Sequence, residues 1–409
     1  MRTLRTVPAV VALGFLALVG LPALTPQAAQ AAQAAQRDST SDRTLRDGRI
    51  TESSGLTVSR RTPGVLWTHN DSGTPPLLYA VGPGGDTLGT ARVTGVPNID
   101  WEALVPVTGR DGSRLLAIGD IGDNSTARSQ IEIDLVPEPS VAGSSRIAPI
   151  RVLRLRYPDG PADAEALLAD PRDGRLYVVT KGLLTSTIYA VPATAWPGTP
   201  GTTGRVRTVT ATLEPVGRVN LTLVTDGAVL PNGRILLRTY TTLAVLPPLP
   251  TATATTGSSG PAGTASDVPT LYPLATTALP SQQQGEGMAV LDATAGVLLL
   301  SSEGKEASIL RLTVPADVWG AGAAAASSAS ETSSASRTGR TPQPAAPSGG
   351  EGPGPVSGGS LSAAGTGAGD GRAGGSGGGS AWLITMAGAG VFAALLVIAR
   401  VLGRQRHPW

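Results

Sequence analysis

The chain has 409 residues and carries 32 Lys and Arg against 30 Asp and Glu, a formal charge of +2 that supplies no field for nucleic acid or an acidic polymer. It contains no cysteine, which excludes a disulfide framework, a thiolate metal site and a Cys nucleophile. Lys181 and Lys305 are the only lysines, so they mark positions where a compact ammonium is kept in an otherwise Arg-only chain.

In chain order, residues 1–35 open on Arg2 and Arg5, continue through an apolar run over 7–24 and reach an Ala/Gln tract, the layout of a secretory signal peptide. Residues 36–43 read as a linker, 44–316 as the folded body, and 317–380 as an Ala/Ser/Gly/Pro stalk too poor in apolar surface to pack. Residues 381–399 carry no charge and are long enough to cross a bilayer, and the tail 400–409 adds Arg400, Arg404 and Arg406. This order predicts an exported, single-pass, monomeric protein with its body outside the cell membrane and a basic cytoplasmic tail.

The body is a repeat. Five stretches each place a polar or acidic residue and a small residue before an apolar strand, a turn, a second strand and a polar cluster: ESSGLTVSRRTPGVLWTHND from Glu52, NIDWEALVPVTGRDGSRLLAIGDIGDN from Asn98, AEALLADPRDGRLYVVTK from Ala164, TDGAVLPNGRILLRTY from Thr225 and GEGMAVLDATAGVLLLSSE from Gly285. The small residue falls at Gly55, Ala103, Ala166, Gly227 and Gly287, in steps of 48, 63, 61 and 60 residues. Two more strands follow each of the first four pairs: PLLYAV and TLGTARVTGV, QIEIDLVPEP and IRVLRLRY, STIYAV and RVRTVTATL, TTLAVLPPL and DVPTLYPLA. The last unit offers only ASILRLTV, and a strand near residues 44–51 completes it. The prediction is an all-β chain, a β-propeller of five four-stranded blades closed by an N-terminal strand, with a C-terminal transmembrane helix. A six-bladed ring stays open as the alternative, and residues 250–267 read as a loop within the fourth blade.

In a propeller the start of each first strand and the end of each second strand share one face. That places Ser54, Glu102, Glu165, Asp226 and Glu286 in a ring at the axis, with Glu102, Glu165, Asp226 and Glu286 as metal candidates. Around them fall Asp71, Asp120, Asp123, Asn124, Lys181, Arg238, Tyr240, Glu303 and Lys305, the candidates for ligand binding. Carboxylates converging on an axis repel unless protonated, paired or bridged by a cation. Calcium matches an oxygen-only set, whereas zinc and copper favour imidazole and thiolate. The structural alternative is that strand-start acids accept backbone N–H groups and that GDIGDN is ordinary turn chemistry. His69 is the only histidine of the body; a Ser-His-Asp site would need it with Ser54 or Ser72, yet no G-x-S-x-G elbow is present. Lys181, Arg238 and His69 are the catalytic candidates if there is turnover. Three functions follow: recognition of a small anionic ligand or a cell-envelope glycan, metal-dependent phosphoester hydrolysis, and glycoside hydrolysis.

The set ESSGL, HNDSG, DWEAL, GDIGDN, YPDG with EALL, VVTK, RTY, GEGM and SSEG, spread over residues 44–314, resembles a family of secreted actinobacterial β-propeller proteins described as hypothetical or WD40-like. It is more distantly similar to the group called esterase-like activity of phytase. The resemblance implies an exported propeller and metal-assisted phosphoester chemistry. The G-H and W-D pairs of true WD40 repeats are absent, and Asp226 replaces the Glu of three other units.

Overall fold

The structure, a computed structural model, describes residues 30, 33–36, 38–109, 111–195, 207–249 and 264–320. The first strand, β1 (Ser39–Thr44), is reserved for ring closure. Blade 1 follows with β2 (Ser53–Val58), β3 (Leu66–Asn70), β4 (Leu77–Val81) and β5 (Thr87–Val93). Blade 2 holds β6 (Trp101–Thr108), β7 (Arg114–Asp120) and β8 (Ile131–Pro137); the chain then forms β9 (Gly143–Ile147) before returning as β10 (Arg151–Arg156). Blade 3 repeats this with β11 (Ala164–Ala169), β12 (Leu176–Thr180), β13 (Ser186–Ala190), an excursion β14 (Arg207–Thr212) and β15 (Glu214–Val219). Blade 4 has β16 (Val224–Val229), β17 (Ile235–Thr239), β18 (Thr242–Leu246), the excursion β19 (Thr270–Leu271) and β20 (Ala275–Ala278). Blade 5 has β21 (Gly285–Asp292), β22 (Val297–Ser302) and β23 (Ser308–Thr313), and its fourth strand is β1, antiparallel to β23. A short helix, α1 (Ala316–Trp319), follows.

The innermost strands touch in the cycle β2, β6, β11, β16, β21 and back to β2, which closes a ring of five blades rather than six. Apolar side chains fill the seams. Trp67, Trp101, Leu104 and Ile118 pack between blades 1 and 2, while Leu230, Leu243, Met288 and Leu300 pack between blades 4 and 5. The body has no Phe, and Leu, Val and Ile supply most of this burial.

Three strand expectations are corrected. The closing strand lies at Ser39–Thr44 rather than at residues 44–51, because Leu45 and Ile50 are fully buried in the seam between blades 5 and 1. RVRTVTATL is not the fourth strand of blade 3: β14 pairs in parallel with β10 of blade 2, and β15 is the true fourth strand. DVPTLYPLA likewise yields β19, parallel to β15 of blade 3, and β20 completes blade 4. Parallel and antiparallel neighbours read alike in sequence, so residue type alone does not say which blade an outer strand joins. The signal segment except residues 30 and 33–35, residues 250–263 of the blade 4 loop, the stalk beyond residue 320 and the apolar span 381–399 lie outside the described residues. Among the described residues no helix is long and apolar enough to cross a membrane.

Candidate functional site

Each innermost hairpin breaks register at the repeated polar position: between Ser53 and Leu56, Trp101 and Ala103, Ala164 and Ala166, Val224 and Asp226, and Gly285 and Met288. Such a bulge places two residues opposite one and re-aims a side chain. The extra residue is Glu102 in blade 2 and Glu165 in blade 3, and Glu286 lies in the irregularity of blade 5. The small residue that follows is required by packing between blades. A Cβ at Gly55 would stand 2.8 Å from Leu104 N, one at Gly287 2.6 Å from Ser54 O, and one at Gly227 2.7 Å from Leu168 Cδ2.

Blade 4 differs because its bulged residue is Thr225, which leaves Asp226 in register with Arg238. The Asp226 carboxylate accepts the N–H groups of Gly227 at 2.7 Å and of Met288 at 2.6 Å, fastening blade 4 to blade 5. Arg238, fully buried, donates to Gly287 O at 2.6 Å, Ser301 O at 3.2 Å and Gln282 Oε1 at 2.7 Å. Burial lowers its guanidinium to about 10, against the pull of Glu286 and Asp226. The structure thus places this acid and this arginine in an inter-blade seam, using hydrogen bonds that the sequence left open as an alternative.

GDIGDN is largely self-bonded. Asp120 accepts the Ile99 N–H at 3.0 Å and the Asp100 N–H at 3.3 Å, and pairs with Arg128 at 2.7 Å. Asp123 accepts the N–H groups of Ala127 at 2.9 Å and Arg128 at 2.8 Å, and Asn124 is exposed. Gly122 has a separate part. A Cβ there would meet Asp100 Oδ2 at 2.5 Å and Glu102 Oε1 at 2.8 Å, so the missing side chain is the space into which two carboxylates converge.

Asp71, Asp100 and Glu102 each bring an oxygen within 4.8 Å of the other two. Asp71 follows the end of β3 in blade 1, and the other two flank Trp101 at the entry to blade 2. Burial, and then the charges of Asp71, Asp163 and Asp120, raise Asp100 to about 7. Burial, followed by Glu165, Asp100 and Asp71, holds Glu102 well above the usual range.

A second group adjoins this one. The Lys181 ammonium donates to Glu165 Oε1 and lies 5.3 Å from the centre of the Tyr240 ring, whose hydroxyl donates to Glu286 Oε1 at 3.4 Å. Glu165 is buried, and its other oxygen, Oε2, has no hydrogen-bond partner. Burial opposes charge on Lys181, but Glu165, Glu286, Tyr240 and Glu102 together hold its pKa well above the ordinary value. Burial raises Glu165 against the pull of Lys181, and burial also raises Asp163. Glu165, Glu286 and Glu102 thus act on the Lys181 ammonium, and Asp71 and Asp100 join the group through Glu102, with the Arg128 guanidinium also pulling on Asp100.

The remaining candidates stand apart. His69 is fully buried, its ring edge-on to Trp101 at 5.5 Å, and burial lowers it to about 4. Neither Ser54 Oγ nor His69 Nε2 has a hydrogen-bond partner, so no Ser54–His69 bond forms. Glu303 bridges to Glu52 through the backbone, and Lys305 is exposed. Sequence reasoning missed Asp100 and Asp163. The signal was present: D-x-E occurs in consecutive blades as Asp100-Trp101-Glu102 and Asp163-Ala164-Glu165.

No family model matches this chain, and no curated protein matches it. Solved structures similar to it include a luciferin-regenerating enzyme, with 10% identity over 68% of this chain and 95% of that chain and a TM-score of 0.37. Another is a gluconolactonase from Xanthomonas campestris, with 12% identity over 66% of this chain and 89% of that chain and a TM-score of 0.36. Similarity at this level carries no function across, and the propeller rests on the sheet order and the closed ring of inner strands.

Proposed function

We propose that this propeller binds a divalent cation at Asp71, Asp100 and Glu102 and receives an anionic ligand between that cation and Lys181. The observation that carries this reading is the convergence of the Asp71, Asp100 and Glu102 carboxylates, two of which, Asp100 and Glu102, close over Gly122, where a Cβ would fill the space. Burying several carboxyl groups around one ammonium costs free energy unless they take up protons or a cation. The donor set is all oxygen, which matches calcium, and the buried, unpartnered Glu165 Oε2 offers a further oxygen beside it. Glu286 and Tyr240 orient the Lys181 side; Asp226 and Arg238 hold the blade 4–5 seam that supports it.

The ligand is a small anion or an anionic cell-envelope glycan. The signal-like segment, stalk and apolar span of the sequence support an exported protein tethered at the cell membrane. A second reading, phosphoester hydrolysis, is favoured by Lys181, which could hold a phosphoryl oxygen in the transition state. A bound cation would polarise that group and lower the pKa of its water.

The test is thermal unfolding of the full chain in EDTA and in graded calcium, followed by a phosphomonoester screen in the same buffers. A saturable rise in Tm that vanishes in the Glu102→Gln, Asp100→Asn variant supports the site. An unchanged calcium response in that variant removes it. Chelator-sensitive turnover would convert recognition into catalysis.

A further inference from the structure

The outer edge of blade 1 carries a pattern that the mouth does not use. Strand β5 contains Thr90-Ala91-Arg92 and strand β9 contains Ser144-Ser145-Arg146, a hydroxyl and an arginine two residues apart in each. Residues two apart on a strand share a face. The parallel register sets Thr90 opposite Ser144 and Arg92 opposite Arg146, so the hydroxyls and the arginines form two rows on one side of the sheet. The Thr90 and Ser144 hydroxyls lie 3.5 Å apart, while Ala91 packs in the apolar seam between blades 1 and 2.

A crossing of the chain between blades creates this pairing. β9 belongs to the connection that follows β8 of blade 2, yet it pairs with β5 of blade 1. Gly89 admits it: a Cβ there would stand 2.4 Å from Gly143 O and 2.5 Å from Val141 O. Leu77, Thr90, Arg92, Ser144, Ser145 and Arg146 line an open cavity of about 510 Å3. No carboxylate lines it, and among the described residues neither guanidinium has a hydrogen bond or an ion pair. Elsewhere Arg43, Arg49, Arg128 and Arg172 each pair with an acid.

Like charges set side by side on neighbouring strands repel. Charge on an edge strand discourages pairing with another sheet, which accounts for Arg146 but not for Arg92, whose strand β9 already covers. A bound anion relieves the repulsion for both. Two guanidinium groups match two negative charges, and their planar forks fit phosphoryl oxygens. The hydroxyl row, about 6.6 Å along the strands, adds neutral donors.

We propose that Arg92 and Arg146, with Thr90 and Ser144, form a binding site for a phosphate dianion, free or as the monoester end group of a larger molecule. The site is separate from the mouth. β5 and β9 are the third and fourth strands outward from β2, about 14 and 19 Å from it at the usual strand spacing.

The test is equilibrium dialysis of the full chain against inorganic phosphate at pH 8 and low salt, with EDTA present to keep cations from the mouth. Wild type should show a saturable phosphate site that Arg92→Gln with Arg146→Gln weakens at least tenfold and Arg146→Lys weakens less. Without phosphate, the double variant should melt no lower than wild type, because the exchange removes a repulsion; with phosphate, it should lose the gain in Tm that wild type shows. Equal phosphate binding by wild type and double variant, or none by wild type, would overturn the inference. A double variant that melts lower without phosphate would also overturn it, since the arginines would then be holding the fold. Phenyl phosphate in the same dialysis separates the two sources. Binding within a few-fold of phosphate assigns the site to monoesters, and binding tenfold or more weaker assigns it to free phosphate.

Discussion

Replacing Asp134 with Asn should make the propeller more resistant to alkaline conditions. Asp134 lies in β8, opposite Ile118 of β7 and Val152 of β10, and is 1% exposed. Neither of its carboxylate oxygens has a hydrogen-bond partner. Burial, aided by Glu132 and Asp120 and opposed by Arg154, raises it from 3.8 to about 8. Because the folded pKa lies above the unfolded one, the stability this group allows is complete below pH 4 and is lost as pH rises towards 8. A shift of that size corresponds to a loss of about 4 kcal/mol at pH 7, as an upper figure. The neutral amide of Asp134→Asn has the same shape and cannot titrate. Urea unfolding of wild type and variant at pH 4.5 and pH 8 measures the difference directly, since other titrating groups cancel. The variant should gain at least about 2 kcal/mol over wild type on going from the lower to the higher pH. An equal gap at both pH values would refute the reasoning.

Other outcomes follow from the seams and the mouth. Arg238→Met leaves Gly287 O, Ser301 O and Gln282 Oε1 without their donor and Asp226 without its neighbouring charge; a loss of about 3–5 kcal/mol is expected in denaturant unfolding. Glu138→Ala removes the acceptor shared by Ser59 Oγ, the Arg60 N–H and Trp67 Nε1 between blades 1 and 2, and should cost about 2–3 kcal/mol in the same assay. Gly122→Ala should abolish the calcium-dependent rise in Tm while lowering stability in EDTA by only about 1–3 kcal/mol, because its Cβ displaces the carboxylates of Asp100 and Glu102.

The repeat made the ring legible because blade spacing and small inner residues are local features of sequence. The acids at the axis were legible for the same reason: Glu102, Glu165 and Glu286 sit where the hairpin arithmetic places them. Asp226 shows the limit. A shift of the bulge by one residue, to Thr225, turns the same acid from the mouth to a neighbouring backbone, and bulge position has no fixed residue signature. The outer strands were assigned to the wrong blades since an exposed edge strand reads alike whichever neighbour it joins. Asp100 and Asp163 were missed because they precede their strands and are drawn inward only by loop geometry, through Gly122 and the Asp123 N–H at 2.8 Å.

The most direct test of the mouth is calcium titration of the full chain by calorimetry, beside the Asp71→Asn, Glu102→Gln variant. The account predicts one saturable calcium site per chain in the wild type and none in the variant, with both proteins folded in EDTA. Equal binding by the two proteins, or none by the wild type, would contradict it.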